Sequence, residues 1–140
     1  MTLADLRDPG ITHIAIANPQ HAPYGQRAEQ ALRAAGVWEA VLPRLVYGDN
    51  IAQAAQFAQT GNVEIGIIAL SLALSPELAQ RGSYALVPER LHQPLLQGYA
   101  ITHRARDNAL ARRFAAFVES ASARSILQRY GFVVPDDATP

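Results

Sequence analysis

The chain has 140 residues, 49% of them hydrophobic and 17% charged, and its 12 basic side chains balance 12 acidic ones. This length fits one domain able to bury a sizeable core, and the balanced charge excludes a disordered polyelectrolyte and gives no electrostatic footprint for nucleic acid. There is no cysteine, hence no disulfide framework, thiolate metal site or cysteine nucleophile, and no stretch nears the roughly 18 to 20 apolar residues that span a bilayer.

After a polar lead-in closed by Asp8-Pro9-Gly10, residues 11–17 alternate and then run apolar, which predicts a buried strand ended by Asn18-Pro19. From Pro23 to Ala35 the apolar positions Ala28, Ala31, Leu32 and Ala35 recur at helical spacing, with proline suited to the first turn and Gly36 to the residue past the end. Residues 37–42 read as one further helical turn around Trp38, and Leu45-Val46-Tyr47 as a second strand. Gly48-Asp49-Asn50 is a turn, with Asp49 expected as a helix cap, and residues 51–60 form a helix before Gly61. The nearly continuous apolar run 63–70 is expected at the centre of a parallel sheet.

Ser75-Pro76-Glu77 starts a short helix, and residues 84–87 and 95–102 are predicted strands on either side of a proline-bracketed stretch. Asp107 or Asn108 caps a helix whose inward stripe is expected to be Leu110, Phe114, Phe117 and Val118. Ser122 is expected to start another, with Ile126, Leu127 and Tyr130 inward. Strands alternating with helices predict an α/β fold, a parallel-type sheet flanked by helices in three layers.

Open parallel sheets bind ligands beyond the carboxyl ends of their strands, where loops feed helix N-termini. Three such junctions occur: residues 18–25, from strand into helix at Tyr24 and Gly25; Gly48-Asp49-Asn50-Ile51; and Ala69-Leu70-Ser71. Free amides at helix starts attract anions, and none of these junctions supplies a lysine or arginine, so an anion there would be held by neutral donors and helix dipoles. Asn18-Pro19 and Gly48-Asp49-Asn50 also read as ordinary turns, and Ser71 equally as a solvated loop residue. The four histidines, His13, His21, His92 and His103, lack metal-ligand spacing, and no cationic metal site is expected. Arg104, Arg106, Arg112 and Arg113 read as a solvated face, and Phe114 with Phe117 as core. Nucleotide-loop, nucleophile-elbow and zinc-protease motifs are absent, and Asp136-Asp137 falls in a tail, so no enzyme is expected and no catalytic residue is assigned.

Ile14 to Pro19, Ala22-Pro23-Tyr24-Gly25, Ala28, Leu32, Gly36, Trp38 and Leu45 to Asn50 occur in an order that resembles the molybdate-binding proteins of ABC importers. Phe57, Gly61-Asn62, Val63 to Ser71, Val87-Pro88, His92-Gln93-Pro94, Gln97 and Tyr130-Gly131-Phe132 continue that order. The resemblance implies one lobe of a periplasmic-binding-protein-like (type II) fold, with molybdate or tungstate as ligand, sulfate as a surrogate, and no cofactor. It implies ligand contacts at Tyr24, at the Ile51 backbone amide and at Ala69, where some members have tyrosine, with Ser71 and Gly25 lining the site. A site made of donors alone favours a fully ionised dianion over one whose proton needs an acceptor.

On this reading residues 11–96 are the second lobe of a solute-binding protein, and residues 97–140 are a return strand and C-terminal helices that in the family pack on a first lobe. The sequence as written shows neither that lobe nor a signal peptide, so the expectation is a truncated, incomplete site whose oxyanion binding by itself is weak or undetectable. The family implies a periplasmic location and an importer membrane subunit as partner, with no nucleic acid, and an exchanged C-terminal segment would make a homodimer. The rival expectation, should the chain be complete, is a cytoplasmic stand-alone module that senses oxyanions or oligomerises and has lost transport.

Overall fold

The apolar run that opens at Ile11 becomes a strand only where it has neighbours on both edges. In the computed structural model, which describes residues 1–134, β1 (Ile14–Ala17) pairs in parallel with β2 (Leu45–Gly48) and with β3 (Ile65–Gly66), giving the sheet order β2-β1-β3. The register sets Ile14 opposite both Leu45 and Ile65, and Ala17 opposite Gly48. Parallel pairing requires a crossover, and helices supply it: α1 (Pro23–Ala34) and α2 (Trp38–Val41) follow β1, and α3 (Ile51–Gln59) follows β2.

Successive strand side chains point to opposite faces, and β1 divides its apolar residues accordingly. Ile14 and Ile16 enter a core with Leu6, Ala28, Leu32, Val37, Trp38 and Val41, whereas Ala15 faces Ala54 and Val63 with Phe57, Ala58 and Ile68 packed around them. Small residues, Ala15, Gly48 and Ala54, meet on the second face where α3 lies close on the sheet. A Cβ added at Gly48 would stand 2.7 Å from the Ala54 nitrogen, nearer than real carbon contacts come.

Two polar clasps hold the amino-terminal end of this layer. The Glu64 carboxylate accepts the backbone N–H groups of Thr12 and His13 at 3.0 and 2.7 Å, joining the segment before β1 to the segment before β3. The His13 N–H chiefly, with the Thr12 hydroxyl and N–H, holds the Glu64 carboxyl below its ordinary range, opposed by partial desolvation. The Arg44 guanidinium donates to the carbonyl oxygens of Leu6, Asp8 and Ile11, tying the amino-terminal 3-10 turn (Leu3–Arg7) to the residue before β2.

Beyond β3 the chain departs from its apolar pattern. The run 63–70 does not form the sheet centre; β1 does, and β3 is an edge strand of two residues that gives way to α4 (Leu70–Ala73) and α5 (Pro76–Ala79). The predicted strands 84–87 and 95–102 join no sheet among the described residues, because a strand needs an edge to pair with and a sequence pattern does not provide one. Asn50 rather than Asp49 caps α3, its side chain accepting from the Gln53 N–H at 3.0 Å.

The chain divides into two compact units, one running to Leu95 and one starting at Leu96. In the second, Asn108 caps α6 (Ala109–Val118) and Ser120, not Ser122, caps α7 (Ala121–Arg129), and the two helices pack on each other. The stripe expected as core is not core: Leu110, Phe114 and Phe117 are exposed, and of α7 only Ala123 is buried. Two short helices have too few partners to cover both apolar stripes. The Tyr99 hydroxyl donates to the Glu119 carboxylate at 2.7 Å, which raises the phenol's pKa above its usual value. Asp136 and Asp137 lie outside the described residues.

Candidate functional site

The loops that leave β1 and β2 run side by side because the ladder that pairs these strands continues past them. The Asn18 N–H donates to the Gly48 carbonyl at 2.8 Å. Asn18 then organises the first loop, its side-chain oxygen accepting from the Gln20 N–H at 3.0 Å and its carbonyl from the Ala22 N–H at 2.9 Å. The chain enters α1 at Ala22, which offers no side-chain cap, and Pro23 takes the first helical position. Tyr24 and Gly25 therefore hold the second and third positions, whose amides point out of the helix start.

Gly25 is fixed by close approach. A Cβ there would lie 2.1 Å from the Ala17 carbonyl oxygen and 2.8 Å from the Asn18 carbonyl carbon, so only glycine lets α1 begin against the end of β1. Gly25 is buried and Tyr24 half-buried.

The second loop is held as tightly. Asp49 donates its N–H to the Gln53 side-chain oxygen at 2.6 Å, and its carbonyl meets His21 Nε2 at 2.9 Å. With Asn50 capping the third position of α3, the amides of Ile51 and Ala52 remain at its start. Ile51 is half-buried. At the third junction Ala69 is 4% exposed, and its carbonyl accepts from the N–H groups of Leu72 and Ala73, the last two residues of α4, at 3.0 and 3.2 Å. Ser71 sits within α4, half-buried.

Tyr24, Ile51, Ala69 and Leu70 all line one cavity of about 1070 Å³ that opens along the β3 edge, and Gly25 and Ser71 do not line it. The cavity is far larger than a four-oxygen anion and mostly apolar, with Ile65, Ile67, Leu78 and Leu91 among its walls. Arg27, one turn beyond Tyr24, also lines it, and its Nε is buried without a hydrogen-bond partner. No group of three or more potential metal ligands occurs among the described residues. The starts of α1 and α3 and the α4 cap residue Ala69 thus lie beyond the carboxyl ends of the strands, where fixed amides and dipoles suit an anion.

Sequence reasoning passed over two residues here. In the sequence His21 is one of four scattered histidines, and the signal that marks it is its place just before a helix cap. Arg27 had no sequence signal, because only the packing of α1 decides which way its side chain leads.

Comparison with known proteins adds to this geometry. Residues 1–133 match the profile of a family described as bacterial extracellular solute-binding protein. The molybdate-binding protein ModA of Rhodobacter capsulatus is 36% identical over 123 residues, covering 88% of this chain and 48% of that protein. ModA of Azotobacter vinelandii is 37% identical over 129 residues, 92% of this chain and 51% of that protein. The solved periplasmic molybdate-binding protein of A. vinelandii superposes with a TM-score of 0.84 at 29% identity, over 96% of this chain and 58% of that one. The chain therefore spans about half the length of the relatives it matches.

Proposed function

Because the chain belongs to the bacterial extracellular solute-binding proteins, we propose that it binds a tetrahedral oxyanion, molybdate or tungstate, as part of the solute-binding component of an ABC importer. The observation that carries this reading is that the α1 and α3 starts, tied to each other by the Asn18–Gly48 and His21–Asp49 bonds, line one cavity with Ala69, the cap residue of α4. The relatives named as molybdate-binding proteins support the choice of anion.

In this reading the amides of Tyr24 and Gly25 donate from one helix start and that of Ile51 from the other. Ala69 borders the anion at the third junction, whereas Ser71, inside α4, does not line the cavity. Where some family members place a tyrosine, Ala69 removes a phenol donor, and the Tyr24 hydroxyl takes over part of that role. Donors without acceptors disfavour an anion that keeps a proton, which separates molybdate from hydrogen phosphate. On this reading the protein is periplasmic, has an importer membrane subunit as its partner and binds rather than catalyses, which the extracellular solute-binding family and the periplasmic relative support.

Calorimetric titration of sodium molybdate into the chain, with sulfate and phosphate as controls, tests this. Saturable heat with molybdate that phosphate does not reproduce is the expected result. No heat and no rise in melting temperature at millimolar molybdate would show that these junctions do not form an oxyanion site in this segment.

A further inference from the structure

A backbone bond and a side-chain bond join the two loops at the site. The backbone bond extends the β1–β2 ladder and belongs to the fold. The side-chain bond, His21 Nε2 to the Asp49 carbonyl at 2.9 Å, belongs to no secondary structure. Its ends are placed alike: His21 immediately precedes Ala22, the cap residue of α1, and Asp49 immediately precedes Asn50, the cap residue of α3. A carbonyl oxygen only accepts, so Nε2 carries the proton.

We infer that His21 is a positioning residue of the oxyanion site, setting the spacing between the α1 amide donors and those of α3 through the Asp49 carbonyl. This rests on the oxyanion reading above. Asp49 is gripped at both backbone groups, its N–H by the Gln53 side chain at 2.6 Å and its carbonyl by His21, so the peptide units flanking it have little freedom to turn. An anion taking donors from two helices binds best when their separation is set beforehand, since otherwise binding must order the loops. His21 itself is exposed and outside both apolar cores, so its bond contributes little to folding. Its effect falls on the site.

The test titrates sodium molybdate into the whole chain and three variants, with melting temperatures recorded for each. His21→Leu removes the donor and is expected to weaken molybdate binding roughly two- to tenfold, the range one neutral hydrogen bond supplies, with the melting temperature nearly unchanged. His21→Gln, whose amide nitrogen reaches about as far as Nε2, is expected to restore most of the affinity. His21→Asn, which ends short of the carbonyl, is not, and it replaces the leucine variant should that one fail to fold. A purely structural role would lower the melting temperature of His21→Leu and leave its molybdate affinity at the wild-type value. Wild-type binding with unchanged affinity in His21→Leu overturns the positioning role and leaves the oxyanion reading standing. Absence of wild-type binding overturns the oxyanion reading, and the positioning role with it.

Discussion

Ile14 and Ile16 in β1 are 0% exposed, whereas Leu110 and Phe114 in α6 are 70% and 66% exposed, although each pair lies on an apolar stripe of the period its element demands. β1 has a strand on either edge, α1 and α2 on one face and α3 on the other. α6 has α7, and α7 is itself a nine-residue helix with one buried residue. The difference teaches that an apolar stripe states a demand for cover, and that the number of neighbours decides whether it is met.

The comparison can be broken first at its tightest point. Gly25→Ala places a methyl group 2.1 Å from the Ala17 carbonyl oxygen and must drive α1 away from the end of β1. A loss on the order of 4 kcal/mol or more is expected, seen as a collapse of the urea midpoint, since backbone offers no give. Ile16→Ala, which empties part of the fully buried core, should cost about 3 kcal/mol in the same assay. Arg44→Met keeps the apolar stem and removes the donors to Leu6, Asp8 and Ile11, with an expected loss of about 1 to 3 kcal/mol.

Glu64 supplies a smaller effect that depends on pH. Its carboxyl is held below the ordinary range in the folded state, so its contribution is present above the unfolded carboxylate pKa and is lost as pH falls through the folded one. Thermal melts from neutral to acid pH should show a shallower acid decline for Glu64→Gln than for the wild type. At the other end, Phe114→Ser should alter stability by no more than about 0.5 kcal/mol, because the ring is already in water. A loss near that of Ile16→Ala would mean that Phe114 is covered in solution, and the contrast between the two regions would fall.

Much of the first unit is legible in the chain itself. Pro23 and Gly36 bracket α1, Asn50 and Gly61 bracket α3, and residues 14–17 and 45–48 are strands where alternation and β-branched residues ask for them. Where the reading failed, the missing information was a partner. The run 63–70 is apolar enough for a central strand, yet only Ile65 and Gly66 pair, at an edge, and the β-like segments 84–87 and 95–102 pair with nothing among the described residues. The junctions of the candidate site were legible as strand-to-helix turns. The bond between them was not, because His21 and Asp49 stand 28 positions apart and meet only through the β1–β2 pairing.

The sequence by itself determined the α/β class, most helix starts and stops, and the places where chain direction changes, since these depend on residues within a turn or two of one another. Tertiary structure alone decided which strand is central, which apolar stripe is buried, and which loops are clasped. Those outcomes turn on edges and faces that distant segments supply, and an apolar residue has no means of specifying which neighbour will arrive to cover it.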